Sequence, residues 1–149
     1  SPGLLGGGAG RRGDVVLVDR VGYSLLRPAR WDVVVIARPG GAASGSGTIG
    51  ESVKRIVGLP GETVEIRNGA LLIDGAAVAC PGPAAGAWVV SKGPYGRGPH
   101  RLRADEYFVL GDNSYASLDS RAWGPVARSE IRGRVRWIVL PVARAGTVR

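Results

Sequence analysis

Short runs of Val, Ile and Leu, each closed off by Gly, Pro, Asn or Asp, recur from one end of this sequence to the other. Runs of roughly four to eight such residues read as strands, because branched side chains pack well on a pleated surface and the punctuating residues supply turns. Asp14 to Arg20, with valines at 15, 16 and 18 around Leu17, is the first. Asp32 to Ala37 follows a turn at Arg27-Pro28-Ala29-Arg30. Ser52–Val57 and Thr63–Arg67 flank the turn Gly58-Leu59-Pro60-Gly61. Further strands are expected at Ala70–Ile73, Trp88–Val90, Glu106–Leu110 and Ile131–Val142. The sharpest signal is Asn68-Gly69, since a two-residue type I′ hairpin turn needs positive φ at both central positions. The expectation is a mainly β protein built of antiparallel sheets.

Twenty-five glycines and ten prolines, with no methionine, fit many short strands better than long helices. A chain of 149 residues can bury a real core in one domain. We expect a single domain over 1–149, with 1–13 as a flexible glycine-rich N-terminal segment and 76–104 as a short Pro/Gly/Ala-rich insertion. Pro39 to Gly50 reads as a low-complexity loop. One cysteine, Cys80, excludes an internal disulfide, and His100 has no partner at ligand spacing. Neither a metal nor an organic cofactor is expected. The net charge of +8 raises the question of nucleic acid. Its arginines, however, are scattered, with only Arg11 and Arg12 adjacent and no longer basic run or interleaved aromatics, so no nucleic-acid partner is expected. An anionic membrane surface, or simply a solvated one, accounts for the charge as well. No stretch has the length of a membrane-spanning helix. The abrupt start at Ser1-Pro2-Gly3-Leu4-Leu5 reads as a piece cut from something longer, with an N-terminal membrane anchor expected before it.

Eighteen of the twenty basic residues are arginine; only Lys54 and Lys92 are lysine. Arginine stays protonated in proteins, whereas a buried lysine can lose its proton near neutral pH. A general base must exist uncharged, which singles out Lys54. On a strand, Ser52, Lys54 and Ile56 share one face and Val53, Arg55 and Val57 the other. That pattern sets Lys54 beside an apolar neighbour, while Lys92 sits in a polar turn before Gly93-Pro94. An ordinary lysine at a strand edge is the plain alternative.

The surroundings of Lys54 add a further pattern. Val53-Lys54-Arg55-Ile56-Val57-Gly58-Leu59-Pro60-Gly61-Glu62 resembles the lysine box of bacterial type I signal peptidases. Leu110-Gly111-Asp112-Asn113, then Ser117-Leu118-Asp119-Ser120-Arg121-Ala122-Trp123-Gly124, is similar to their later box. Arg30-Trp31-Asp32-Val33-Val34-Val35 looks like a third, with Trp31 where that box has glycine. Gly13-Asp14-Val15-Val16-Leu17-Val18 matches the strand after the family's nucleophile. Four boxes in the family's order, over most of residues 11–140, make the resemblance specific.

The resemblance implies the antiparallel β fold shared by signal peptidases and self-cleaving repressors. It also implies a membrane-associated serine endopeptidase working outside the cytoplasm on signal peptides of exported preproteins. Lys54 would be the general base of a Ser/Lys dyad, and Ser117 would orient its amine. Asp119 and Arg121 would pair, with Arg55 nearby, and Gly111-Asp112-Asn113 would bring that loop up to the lysine. Val53, Val16 and Leu4 would line shallow pockets for small substrate residues. The chain departs from the family at the nucleophile. Aligned on Pro2-Gly3-Leu4, the catalytic serine is expected two residues before Ser1, together with the backbone donors for the oxyanion; a slid register would make it Ser1 itself. The competing readings are an inactive relative that binds extended peptides, a self-cleaving repressor-type peptidase, and a nucleic-acid binder.

Overall fold

The computed structural model describes residues 15–39, 49–81, 93–140 and 146–147. Among them run β1 (Val15–Asp19), α1 (Val21–Leu25), β2 (Val33–Pro39), β3 (Ile49–Gly58), β4 (Thr63–Arg67), β5 (Ala70–Ile73) and β6 (Ala76–Val78). Then come β7 (His100–Arg101), β8 (Glu106–Leu110), α2 (Ser120–Trp123), β9 (Val126–Ala127), β10 (Ile131–Leu140) and β11 (Gly146–Thr147). The registered strand pairs are antiparallel, as the sequence led us to expect. The expected strand at Trp88–Val90, the segment 1–13 and most of the 39–50 loop lie outside the described residues. The described residues fall into two compact units, one of 15–28, 32–39, 49–53, 130–140 and 146–147, the other of 29–31, 54–81 and 93–129.

In the first unit the strand order is β1–β10–β2–β3, with β11 paired to β10. Val16, Val35 and Val135 form its buried cluster, against which Val18, Val33, Val53 and Ile138 pack. Alternation drives the arrangement at β1: Val16 is buried while Leu17 is half exposed. Helix α1 was not anticipated. Its five residues are too few for an amphipathic period, and Val21 and Leu25 are both exposed. Local chemistry makes it instead. Asp19 accepts a hydrogen bond from the Gly22 N–H (2.9 Å), and the buried Tyr23 hydroxyl donates to Asp32 (2.8 Å). The Asp32 carboxylate also pairs with Arg134 (3.1 Å).

The second unit holds two sheets, the later residues of β3 with β8 and β9, and β6–β5–β4–β7. The hairpin between β4 and β5 turns at Asn68 (φ 50°) and Gly69 (φ 77°), both positive as the type I′ turn demands. Asp74 (φ 50°) and Gly75 (φ 83°) repeat the device and launch β6, where the sequence reading saw only a strand end. Val57, Val64, Ile66, Leu71, Ile73, Leu102, Phe108 and Leu110 close around Cys80 to make the core, with Trp31 and Val78 packed against it. Burying each large apolar side chain stabilises by about 1.5–3 kcal/mol, so this cluster dominates the unit's stability.

Residues 29–31 belong to this unit and dock on β3. The Trp31 N–H donates to the Ile56 carbonyl (2.8 Å), and Arg55 donates to the Trp31 carbonyl (3.1 Å). Arg30 donates to the Val57 carbonyl (2.6 Å) and pairs with Glu62. Trp31 has φ 74°. That conformation explains why glycine suits the corresponding position of the resembling box; a large side chain there costs about 1–2 kcal/mol. The hydrogen bond from its N–H to Ile56 and the one its carbonyl accepts from the Arg55 side chain hold it in place.

Candidate active site

Lys54 lies on β3 and Ser117 in the loop that runs from β8 to α2. The Lys54 Nζ donates to Ser117 Oγ at 3.2 Å. Sixty-three positions apart in sequence, the two meet because β3 and β8 pair, with Arg55 opposite Leu110. The chain then leaves β8 at Gly111 and doubles back. Burial pushes the Lys54 amine below the ordinary lysine value of 10.5, because a charge in that surrounding loses hydration. Arg121 pushes the same way, while Asp119 and Asp112 oppose it.

Gly111 permits the meeting. A methyl group on its α-carbon would lie 1.9 Å from Ser117 Oγ and 2.4 Å from Ser117 Cβ, and 3.7 Å from Lys54 Nζ. Any side chain at 111 would therefore displace the Ser117 hydroxyl. The requirement is space at this position, not a left-handed backbone. Asn113 shapes the return of the loop: its carbonyl accepts from Ser117 N–H (2.9 Å) and its side chain from Ala116 N–H (3.3 Å).

Two ion pairs fix the ends of the loop. Asp119 accepts from Arg121 Nε (2.8 Å) and Nη2 (2.6 Å), and from the backbone N–H groups of Arg121 (3.2 Å) and Gly111 (3.0 Å). Arg121 spends its remaining guanidinium nitrogen on Ser114 Oγ (2.8 Å). Both side chains are fully buried, at 1% and 0% exposure. The other pair is Arg55 with Asp112, bidentate at 2.9 Å for each contact. Asp112 holds the Arg55 guanidinium above its ordinary value by this hydrogen bonding. The sequence reading set Arg55 near the Asp119–Arg121 pair; the carboxylate that takes its guanidinium bidentately is that of Asp112.

Of the residues singled out in sequence, Lys54, Arg55, Gly111, Asp112, Asn113, Ser117, Asp119 and Arg121 are thus joined in one network. Val16 and Val53 sit together in the valine cluster of the first unit. Leu4, Ser1 and Lys92 lie outside the described residues. The reading missed Ser114 and Ser120. The first satisfies Arg121, and the second accepts from the Val109 N–H (3.0 Å). Serine at 114 carries no signal by itself, since its partner lies seven residues on and turns back only through the fold.

Chemically, the arrangement offers an amine shifted towards neutrality, a hydroxyl hydrogen-bonded to it, and two ion pairs beside both. Comparison with known proteins identifies the family. The family model described as signal peptidase, peptidase S26, matches residues 10–140. The chain is similar to a signal peptidase I of Leptolyngbya laminosa, 35% identical over 134 residues, covering 89% of this chain and 63% of that protein. It is also similar to a signal peptidase I S of Bacillus subtilis (strain 168), 37% identical over 95 residues, covering 60% of this chain and 52% of that one. The chain therefore spans between half and two thirds of the length of these curated relatives. Among solved structures, a signal peptidase I from Enterococcus faecalis V583 is similar, with TM-score 0.54 and 27% identity over 73% of this chain and 97% of that one.

Proposed function

From the chain's membership of the signal peptidase, peptidase S26, family, we propose that it is the catalytic region of a serine endopeptidase that removes signal peptides from exported preproteins. Lys54 is the general base. The observation that carries this reading is the 3.2 Å approach of a half-buried amine, its proton affinity lowered by burial, to the Ser117 hydroxyl.

The chemistry follows from the neutral amine. Lys54 Nζ takes the proton from a serine hydroxyl as that oxygen attacks the carbonyl carbon of the scissile peptide bond. The resulting ammonium returns the proton to the departing amine, leaving an acyl-enzyme. Lys54, neutral again, takes a proton from water as the water attacks the ester, and returns it to the serine oxygen as the ester C–O bond breaks and the acid product leaves. Throughout, Ser117 holds the amine in line, and the Asp119–Arg121 and Arg55–Asp112 pairs hold Ser117 and the lysine strand in register. The attacking serine is assigned to the segment ahead of β1, outside the described residues. Val16, Val53 and Leu4 are proposed to line the small apolar subsites, with substrate adding as an extended strand. The protein is placed at the cell membrane, catalytic region outside the cytoplasm, with no nucleic-acid role. Among the described residues no helix is long and apolar enough to cross a membrane.

The test uses the full-length product of the gene and a signal-peptide substrate. Lys54→Ala is expected to lower kcat/KM by about 10²–10⁴-fold or more. In the parent, kcat/KM rises with pH along a limb whose midpoint lies below 10.5, because only deprotonated Lys54 accepts a proton. Cleavage that persists unchanged in Lys54→Ala overturns the mechanism. An inactive peptide-binding relative is not favoured, since such a module has no use for an amine driven towards neutrality beside a hydroxyl.

A further inference from the structure

Helix α2 has only four residues, Ser120–Trp123. A single turn has no intrinsic stability, so its geometry has to be imposed from outside. Its leading end is held by the Asp119–Arg121 knot, which also fixes Gly111 and Ser114 ahead of Ser117 and so ties the start of the Ser117 loop to its end. Its trailing end is held by a turn far away in sequence. The Tyr95 N–H donates to the Arg121 carbonyl (3.2 Å). The Tyr95 ring covers Gly124, the residue that caps α2, so closely that a methyl group there would lie 3.0–3.3 Å from three ring carbons. Gly93 approaches the same helix: a methyl group on it would lie 2.7 Å from the Arg121 carbonyl oxygen and 2.8 Å from Ala122 Cα.

The ring is itself seated. His100 meets it edge-on, with centroids 5.2 Å apart and planes at 86°. His100 opens β7 and pairs with Val64 of β4, so Tyr95 ties α2 to the β6–β5–β4–β7 sheet. Residues 93–95 lie within the stretch that sequence alone reads as an insertion.

We infer that Tyr95 is a positioning residue: by pressing α2 against its seat it holds Ser117 over Lys54 and keeps water from the amine. The inference rests on the assignment of Lys54 as general base. Among the described residues, the charged and polar groups that bear on Lys54 are Ser117, Asp112, Asp119 and Arg121, and these belong to the 111–121 segment that α2 anchors.

Trace acetylation at a series of pH values, read peptide by peptide by mass spectrometry on the full-length protein, titrates the Lys54 amine without any need for turnover. Tyr95→Ala is expected to move the Lys54 midpoint upward, towards 10.5, by about half a unit or more as water enters. The acidic limb of kcat/KM should follow by the same amount, about threefold in rate at fixed pH. Tyr95→Phe keeps the ring and should leave both in place. Leu71→Ala, in the core beneath β5, lowers Tm without touching α2 and should leave the Lys54 midpoint where it is. If Tyr95→Ala does not fold, Tyr95→Leu carries the same test. The inference is overturned if the Tyr95 variants lose Tm while the Lys54 midpoint stays fixed, or if Leu71→Ala moves it equally. Failure of the base assignment looks different: the titration responds to Tyr95, yet cleavage is indifferent to Lys54→Ala.

Discussion

The β4–β5 hairpin and the 111–124 segment are both held firmly in the same unit, by opposite means. The hairpin is fixed by apolar contact on one face and by a turn whose two residues accept positive φ. Residues 111–124 contribute almost no apolar side chain to that core. They are fixed by a carboxylate that accepts four hydrogen bonds, a guanidinium fully spent, and a glycine with no space to spare. Apolar contact tolerates sliding, because dispersion and burial depend little on direction. Directed bonds to buried charge do not. Placing one hydroxyl within bonding distance of one amine calls for the second kind of support.

The contrast can be broken most forcefully at Asp119. Asp119→Ala removes the carboxylate that neutralises the buried Arg121 and should cost about 3–5 kcal/mol of stability, read by denaturant unfolding. A smaller loss there would mean that water reaches Arg121 and that the knot is softer than its geometry. Gly111→Ala comes next. Its methyl must displace Ser117, at about 1–3 kcal/mol, but cleavage should fall much further than stability, and comparing the two measurements separates a framing role from a structural one. Gly69→Ala strains the hairpin turn by about 1–2 kcal/mol and should leave kcat/KM unchanged, since that turn has no part in the polar frame. The smallest effect is one of sign. The amine of Lys54 has a folded pKa lower than its unfolded one, so its charged form weakens the fold at pH below the folded pKa. That penalty fades as pH rises towards 10.5. Lys54→Met should therefore be more stable than the parent at acidic and neutral pH, with the gain shrinking in alkali; thermal unfolding across pH measures it.

The same contrast governs what could be read in the sequence. β4, β5 and β8 are found with their expected bounds, and Asn68-Gly69 turns as expected, because alternation and turn chemistry are local. Lys54 and the late box were legible through the resemblance. That Asp112 takes Arg55 was not, because only the path of the chain after Gly111 brings that carboxylate to β3. Nor could alternation along β3 tell which face is covered, since Ile56 and Val57, on opposite faces, are both fully buried. β6 and β7, of three and two residues, are too short to show a period. Tyr95 is illegible for a different reason, as its role exists only through contacts with Gly124 and His100.

The enclosed sulfur of Cys80 bears on where such a chain can work. Burial raises its pKa, although the charge of Arg55 pulls the other way, so the reactive thiolate is scarce and the packed core screens it from oxidants. An unpaired thiol is a hazard in an oxidising compartment, where it can bridge to another molecule or be driven to sulfinic acid. Sealed among Val57, Leu102 and Phe108, this one is shielded from both fates, and the fold can carry a free cysteine outside the cytoplasm.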